Sequence, residues 1–503
     1  MTVWQRRQGF HFRALRQSLQ DKPQWKKLLL LTTGLVMVGG SFVIYATAPE
    51  DRLFALDSRT GRVKWSVTEL RRSHHIPYVA GDRVIVSQSN YDSDPLGFGG
   101  EPTVPKMSGS RCLQQGWGLT AYAAKSGQQL WQFCPNATQF PNLDLKLTHG
   151  MQLQLTANRV YLPLLMQESS QQRVSDRLLS LDAATGQPLW SLEQNFRQSL
   201  PFDRSSSIRN GNIQSTPTQV SGEGFGASVV PAQDRVVVLT GKLNTPMTLQ
   251  AFDTTTAKQA WTAKLPDALV AEAVSLGPMI RNYLLTNDRQ IFAVSPIAGI
   301  TALNPETGAV LFHIKGEFWG HTVVTQTAIY QFGPTAIAAY DAITGQLRWR
   351  QPISAQPSTK TYSLPGAVDG PTLYTRIYRL PEDDTKGQIE VLALNTQDGK
   401  PRWRQYLEHP GMLDIAVNPV TSAGGVALVA ANPQTPDQTD LQLVTLDAQS
   451  GKVRWTFPLR IAGDQQAVVR VYGLMSSDPE RIYIRDRAPR FRHWLAHLNS
   501  SWH

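Results

Sequence analysis

The stretch ALDSRTGRVKW (residues 55–65) decides the fold, because variants of it recur along the chain. The pattern is Ala-x-Asp-x-x-Thr-Gly-x-x-x-Trp. Seven further copies are AYAAKSGQQLW (121–131), SLDAATGQPLW (180–190), AFDTTTAKQAW (251–261), ALNPETGAVLF (302–312), AYDAITGQLRW (339–349), ALNTQDGKPRW (393–403) and TLDAQSGKVRW (445–455). Each copy ends on an aromatic residue, and these are Trp65, Trp131, Trp190, Trp261, Phe312, Trp349, Trp403 and Trp455. Internal repetition of this kind is typical of solenoids and propellers.

Each copy predicts a β-hairpin that carries a docking side chain. A short apolar run ends in Asp or Asn, whose side chain can accept hydrogen bonds from backbone N–H groups ahead of it and so begin a turn. Gly supplies a residue that adopts positive φ without strain. Four residues later, Trp lies on the second strand, where its ring can cover the next sheet while its indole N–H finds an acceptor.

A second type of strand recurs between these hairpins. Its eight copies are DRVIV (82–86), NRVYL (158–162), DRVVVL (234–239), DRQIFAV (288–294), AIYQF (328–332), TLYT (372–375), VALVA (426–430) and ERIYIR (480–485). Each follows a weaker apolar stretch that can be its hairpin partner. Four strands in each of eight repeats predict an all-β, eight-bladed β-propeller over residues 50–487. The order of the two hairpin types predicts a shared closing blade, made of residues 466–486 and 51–68.

An apolar segment, LLLLTTGLVMVGGSFVIYATA (residues 28–48), precedes the repeats. Its 21 residues carry no charge and are long enough, as a helix, to cross a bilayer, so they predict one transmembrane helix. Lys26 and Lys27 directly before it place residues 1–27 in the cytoplasm. A cleaved signal peptide is the alternative, since Ala46-Thr47-Ala48 has the pattern of a cleavage site. The length of the apolar run and Pro49 after it favour an uncleaved anchor.

The net charge of +10 lies mostly outside the repeats. Residues 1–27 contribute +6 and residues 485–503 contribute +3, which leaves +1 for everything between them. A nearly neutral body argues against nucleic acid as a partner, because nucleic-acid binding needs a basic surface.

The repeats resemble the pyrroloquinoline-quinone-type (PQQ-like) propeller repeat over residues 50–487. Two groups share that repeat. Quinoprotein alcohol dehydrogenases hold PQQ and calcium at the propeller axis, whereas BamB-like proteins of outer-membrane β-barrel assembly are non-enzymatic scaffolds. A membrane tether followed by a bare propeller looks more like the second group. The resemblance therefore implies a protein-binding scaffold without catalysis or cofactor. It also implies an anchor in the inner membrane, with the propeller in the periplasm or an equivalent lumen. A PQQ-dependent oxidoreductase is the alternative.

Two cysteines bear on that choice. The dehydrogenases carry a pair of adjacent cysteines beside the quinone, but Cys112 and Cys134 have 21 residues between them. They flank the strands of the second Trp hairpin, so we expect a structural disulfide between them in an oxidising compartment.

An acidic stretch offers a weak candidate metal site. Asn90, Asp92, Asp94 and Glu101 match positions 1, 3, 5 and 12 of a calcium-binding loop. Pro95 holds the position that requires Gly, so an EF-hand loop is excluded. A looser calcium site or a solvated polar loop remains.

Three further segments are candidate contact surfaces. The insertions 87–117 and 191–228 both fall on the face opposite the Thr-Gly turns and are expected to contact partner proteins, unless they are flexible decoration. The tail 488–503 combines Arg and Trp, which suits a lipid interface, unless it is a disordered terminus. A third interpretation, a ligand sensor signalling to residues 1–27, is disfavoured because that segment has no room for a signalling domain.

Overall fold

The computed structural model describes most of the repeat region and two short N-terminal stretches. The described residues are 33–38, 41–46, 51–70, 77–89, 117–135, 153–168, 173–198, 224–241, 248–265, 283–295, 298–316, 321–333, 335–353, 359–381, 388–408, 420–431, 441–459 and 475–486. Contacts divide the chain into two units, one made of residues 1–50 and 488–503 and the other of Asp51–Arg487.

The unit Asp51–Arg487 consists of eight four-stranded antiparallel sheets. We number these blades from the one that holds Asp51, and we number the strands of each blade in the order in which they pair. Blade 1 contains Met475–Ser477, Arg481–Asp486, Asp51–Asp57 and Val63–Leu70; blade 2 contains Tyr78–Ala80, Arg83–Ser89, Trp117–Ala123 and Gln129–Phe133. Blade 3 contains Gln154–Leu155, Arg159–Glu168, Arg173–Asp182 and Pro188–Gln198; blade 4 contains Gly224–Ala232, Arg235–Gly241, Thr248–Asp253 and Gln259–Lys264.

The remaining four blades follow the same plan. Blade 5 contains Tyr283–Thr286, Ile291–Ser295, Gly299–Leu303 and Val310–Ile314; blade 6 contains His321–Val324, Ala328–Phe332, Ala336–Asp341 and Leu347–Pro352. Blade 7 contains Thr359–Asp369, Thr372–Pro381, Gln388–Asn395 and Pro401–Glu408; blade 8 contains Val420–Ser422, Gly425–Ala431, Leu441–Asp447 and Val453–Leu459.

The blades form a closed ring. The first strand of each blade contacts the first strands of both neighbouring blades, all the way round from blade 8 to blade 1. First strands therefore surround the axis, and fourth strands form the outer rim. Blade 1 joins the two ends of the repeat region, with Ala55 opposite Tyr483 in an antiparallel pair. The prediction of an eight-bladed propeller with a shared closing blade is confirmed, and the closure leaves no open gap in the ring.

The core lies between the blades. The second strands Ile291–Ser295 and Ala328–Phe332 are buried along their whole length, because a blade covers each of their two faces. One cluster shows how the packing works: Ala55 and Tyr483 of blade 1 pack with Val84 and Val86 of blade 2. Strands buried on both faces read as continuous apolar runs rather than as alternating patterns.

The N-terminal segment differs from its prediction. Instead of a helix over residues 28–48, the structure has two strands, Thr33–Val38 and Ser41–Ala46, paired antiparallel with Val36 opposite Val43. The physical reason is local: Gly39-Gly40 stands between two runs rich in β-branched residues, which is a hairpin signal. Among the described residues, no helix is long and apolar enough to span a bilayer.

Candidate functional site

The joints between blades are built by the repeated aromatic residue. Trp131 of blade 2 donates its indole Nε1–H to the carbonyl oxygen of Ala183 in the turn of blade 3, at 3.0 Å. The same bond joins Trp190 to Thr254 at 2.7 Å and Trp349 to Thr396 at 2.9 Å. The remaining bonds run from Trp65 to Ala124, Trp261 to Pro305, Trp403 to Ala448 and Trp455 to Ser58. Seven of the eight joints thus hold a buried or half-buried hydrogen bond in addition to their apolar contact.

Six of the seven turns that receive an indole are organised by an Asp or Asn side chain, and the turn of blade 2 has Ala123 at that position instead. In blade 1, the Asp57 Oδ1 accepts hydrogen bonds from the backbone N–H groups of Arg59 and Thr60 and from the Thr60 hydroxyl. The Lys64 ammonium lies 2.9 Å from the same carboxylate. Hydrogen bonding to Lys64, supported by Thr60, lowers the pKa of Asp57 to about 2. The carboxylate therefore stays ionised and keeps the turn in shape.

Two observations explain why the turn carries glycine. At Gly186, φ is +71°, a left-handed conformation that side chains rarely adopt. A Cβ at this position would lie 2.5 Å from the Cε3 atom of Trp131. The ring of one blade therefore rests on the bare backbone of the next.

Two joints depart from the pattern. In the joint between blades 5 and 6, Phe312 has no N–H group, so the carbonyl of Ala342 receives no indole hydrogen bond. In the joint between blades 3 and 4, Ala257 replaces Gly and keeps φ at +58°. Its Cβ stands at the position where the other seven turns have glycine and bare backbone. We regard these as the two weakest joints of the ring.

Exposed apolar side chains gather beside the Phe312 joint. Val310 and Leu311, directly before Phe312, are 48% and 47% exposed. Ile343 and Leu347 flank Gly345, whose backbone lies against the Phe312 ring, and they are 64% and 56% exposed. We call Val310, Leu311, Ile343 and Leu347 the rim patch. Single exposed apolar residues are ordinary. Four of the nine large apolar side chains that are exposed among the described residues border this one joint.

Blade 7 holds the buried charges of the described residues, which are Arg376, Arg379 and Glu390. Glu390 is 1% exposed and lies 2.7 Å from Arg379 Nη2 and 3.2 Å from Arg404 Nη1. This triad connects the second, third and fourth strands of one blade. Such a group adds little net stability, because each buried charge must first lose its water.

Arg376 is a different case. Its side chain is fully buried, and its Nη1–H donates to the Tyr378 hydroxyl at 3.2 Å. Among the described residues, its Nε and Nη2 have no hydrogen-bond partner. Arg376 lies opposite Val391 in the third strand, two residues beyond Tyr374. The equivalent residue of blade 6 is Phe332, which is buried and apolar. Burial lowers the pKa of Arg376. Arg376 therefore places a guanidinium where the repeat usually places an apolar side chain.

Most of the predicted sites lie outside the described residues. These include Asn90, Asp92, Asp94 and Glu101, most of the insertions 87–117 and 191–228, and the tail 488–503. Cys134 follows the fourth strand of blade 2 and is disulfide-bonded. Its predicted partner, Cys112, lies outside the described part.

A quinoprotein site requires ligands for a calcium ion beside the quinone. Within the described ranges, no three His, Cys, Asp or Glu side chains come together as ligands for a metal ion. The sequence has no adjacent cysteine pair. The described residues therefore offer no such ligand set for a calcium ion beside PQQ.

Sequence reasoning missed the buried charges of blade 7. The sequence predicts this strand as TLYT (372–375), but the structure extends it to Pro381 and so includes both arginines. Tyr374, Arg376 and Tyr378 alternate with Thr375 and Ile377, and this period of two was the available signal. Arginine in a strand covered on both faces is unusual, so these charges do not themselves indicate a buried strand.

Comparison with known proteins identifies the repeat family. A family model described as outer membrane protein assembly factor BamB matches residues 2–199, 115–376 and 298–487. No curated protein matches the chain in sequence.

Solved structures match the chain at low sequence identity. BamB from Moraxella catarrhalis is 14% identical, with a TM-score of 0.38 over 74% of this chain and 91% of that chain. A quinohemoprotein alcohol dehydrogenase, ADHIIG from Pseudomonas putida HK5, is 12% identical, with a TM-score of 0.49 over 87% of this chain and 77% of that chain. The designed protein Ika8 is 11% identical, with a TM-score of 0.42 over 82% of this chain and 98% of that chain. With identities and TM-scores this low, these similarities carry no functional information.

Proposed function

Because the chain belongs to the family of the outer membrane protein assembly factor BamB, we propose that it is a non-enzymatic scaffold that binds other proteins. The observation that carries the proposal is the rim patch. Val310, Leu311, Ile343 and Leu347 expose apolar surface on a ring whose strands are otherwise fixed by the aromatic joints. A rigid ring with exposed apolar side chains on its outer strands suits recognition of a partner segment.

The proposed partner surface has two parts. Fourth strands form the outer rim and have no neighbour on their outer side within the blade, so an extended segment can pair with them. The insertions 87–117 and 191–228 join strand ends on the face opposite the Thr-Gly turns and would add further contacts.

Substitution of the rim patch tests the scaffold proposal. We expect Ile343→Lys with Leu347→Lys in the full chain to reduce affinity for copurified partner proteins about tenfold or more, because apolar anchors dominate binding energy. Gln259→Lys is the matched control, since it changes the equivalent exposed position on the fourth strand of blade 4. Equal recovery of the same partners by wild type and the double variant would contradict the proposal.

The alternative is a PQQ-dependent oxidoreductase. Calorimetric titration of the full chain with PQQ and calcium, each alone and together, distinguishes it from a scaffold. We expect no saturable heat in any titration. Stoichiometric quinone binding that requires calcium would replace the scaffold with an enzyme.

We also propose that the uncharged segment 28–48 attaches the protein to the inner membrane, with the propeller in the periplasm or an equivalent lumen. The support is the absence of charge over 21 residues after Lys26 and Lys27. Wild type should resist alkaline carbonate extraction, and Met37→Lys should weaken that resistance because a charge in hydrocarbon is costly. Complete extraction of wild type would contradict the attachment.

A further inference from the structure

The face of blade 7 that packs on blade 8 carries a buried cation in apolar surroundings. Side chains alternate along a strand, so Tyr374, Arg376 and Tyr378 all project from this face of the second strand. Both tyrosines pack there with Leu428 of blade 8 and with Val391 of the third strand. Arg376 lies opposite Val391 in the ladder and is 0% exposed. Its guanidinium is therefore shielded from solvent between two apolar sheets.

The buried carboxylate of blade 7 lies on the other face of the same sheet. Glu390 is opposite Ile377, the residue after Arg376, and Ile377 packs against blade 6. On that side, Glu390 lies 2.7 Å from Arg379 Nη2 and 3.2 Å from Arg404 Nη1. Glu390 is thus paired with two other arginines, and the sheet itself separates it from Arg376.

The orientation of Arg376 leaves one edge of its guanidinium unpaired. Nη1 donates to the Tyr378 hydroxyl at 3.2 Å, and the guanidinium carbon lies 5.7 Å from the centre of that ring. Among the described residues, Nε and Nη2 have no hydrogen-bond partner. The Nε–H bond of a guanidinium and the Nη2–H bond beside it are parallel, and such a pair matches the two oxygens of a carboxylate. Burial lowers the pKa of Arg376, as it does for a cation that no anion compensates.

We propose that the Nε and Nη2 edge of Arg376 is a binding site for a small monocarboxylic acid of the size of formate or acetate. A carboxylate offers two oxygens to the two parallel donors and one negative charge to one positive charge. A dianion such as sulfate would keep a net charge, and oxygens without donors, among apolar side chains, which is costly.

Burial restricts the size of the ligand. Because Arg376 is 0% exposed, the carboxyl group of a polypeptide cannot reach it while blades 7 and 8 stay packed. A small acid needs only a brief local separation of the two sheets. Once bound, the acid converts an unpaired buried charge into a hydrogen-bonded ion pair, so it stabilises the folded chain over the unfolded one. This site does not depend on the rim patch, which lies on blades 5 and 6.

Urea unfolding of the full chain with added salts tests the site. Sodium formate, acetate, chloride and sulfate are compared at equal ionic strength in a buffer without carboxylates, and the midpoint is followed by tryptophan fluorescence. We expect formate and acetate to raise the wild-type midpoint in a saturable way, which chloride and sulfate do not. Half-saturation should lie in roughly the millimolar range, the limit for a ligand of so few atoms.

Three variants separate specific binding from general salt effects. Arg376→Lys keeps the charge but loses the parallel donors, and Arg376→Leu loses both, so neither should show the saturable response. Phe332→Leu, at the equivalent position of blade 6, should respond to formate as wild type does, relative to its own midpoint in chloride. Two variants at position 376 keep the test valid if one of them does not fold.

The magnetic resonance signal of the Arg376 Nε–H group reports the contact directly. In the full chain with isotope-labelled arginine, this buried group exchanges slowly with water, and its signal is identified by its absence in Arg376→Lys. We expect formate to move the signal downfield, because a charge-assisted hydrogen bond forms at Nε.

Equal responses to formate in wild type and in both variants at position 376 would overturn the proposal, as would an Nε–H signal that formate leaves in place. Saturable stabilisation by chloride as strong as that by formate would overturn the assignment to a carboxylate and replace it with a halide. Loss of partner binding in rim-patch variants would leave all of these results unchanged, so the two proposals fail separately.

Discussion

Trp455 donates its indole Nε1–H to the carbonyl oxygen of Ser58 at 3.2 Å, and the two residues are 397 positions apart in the chain. This bond closes the joint between blade 8 and blade 1. The ring of Trp455 also rests on Gly61, where a Cβ would lie 2.7 Å from its Cδ2 atom. The joint that brings the ends of the repeat region together thus uses the same contacts as those between blades that are neighbours in sequence.

The indole hydrogen bond should be transferable to the joint that lacks it. We expect Phe312→Trp to raise the free energy of unfolding by about 1 kcal/mol, because the new N–H can reach the carbonyl of Ala342. Trp455→Phe is the reciprocal change and should lower it by about 1–3 kcal/mol. Urea midpoints followed by circular dichroism measure both. A destabilised Phe312→Trp variant would show that the joint between blades 5 and 6 cannot hold an indole.

The turn of blade 4 should improve with glycine. Ala257→Gly removes a methyl group at φ +58° beneath Trp190, and we expect a gain of about 0.5–1 kcal/mol in the free energy of unfolding after the added flexibility of the unfolded chain is counted. Gly186→Ala makes the opposite change and should cost about 1–3 kcal/mol, because its Cβ would press on Trp131. Thermal melts of the two variants should move in opposite directions, and a shift of both in one direction would contradict this account of the turn.

The buried guanidinium of blade 7 should be replaceable. Arg376→Leu restores the type of residue that the repeat uses at this position, and we expect a gain of about 1–4 kcal/mol, since an unsatisfied buried charge is removed. Phe332→Leu is the matched control on blade 6 and should lose stability through the smaller side chain. Urea unfolding measures both. A loss of stability in Arg376→Leu would show that the guanidinium is satisfied in the folded protein.

Acid should weaken the turn of blade 6, which contains Asp341, over a pH range set by the pKa of that residue. Hydrogen bonding to Arg348, and then to the Thr344 N–H, lowers the pKa of Asp341 from 3.8 to about 2 in the folded chain. A group with a depressed folded pKa stabilises the fold above its unfolded pKa and loses that contribution as pH falls from 3.8 to about 2. Asp341→Asn should therefore reduce the decrease in urea midpoint over this range. Arg348→Gln should reduce it less, because the backbone hydrogen bonds remain. An unchanged pH profile in Asp341→Asn would contradict the assignment.

The propeller could be predicted because its determinants are local and repeated. Asp57, Gly61 and Trp65 act through a turn of a few residues, and every copy repeats that chemistry with small changes. Blade closure followed from the order of hairpin types alone. The hairpin over residues 33–46 was missed because hydropathy and length outweighed the Gly39-Gly40 turn signal. Local turn and strand propensity determines the secondary structure of a segment only where no longer-range sequence pattern competes with it.

The candidate surfaces were harder to predict, since they depend on the ring. Ile343 and Leu311 are far apart in the motif but border one joint. Arg376 was hidden because a charged residue in a strand usually marks an exposed face. Such features can be recognised only when the arrangement of the blades is known.

The most direct test of the scaffold proposal is site-specific photo-crosslinking from the rim patch in intact membranes. A photoreactive residue at position 347 of the full chain should give one discrete protein adduct, and the adduct should be lost when Ile343→Lys is added. The same residue at position 259 on blade 4 should give none. Identical adduct patterns at positions 347 and 259, or an adduct at 347 that Ile343→Lys leaves unchanged, would contradict protein binding at this patch.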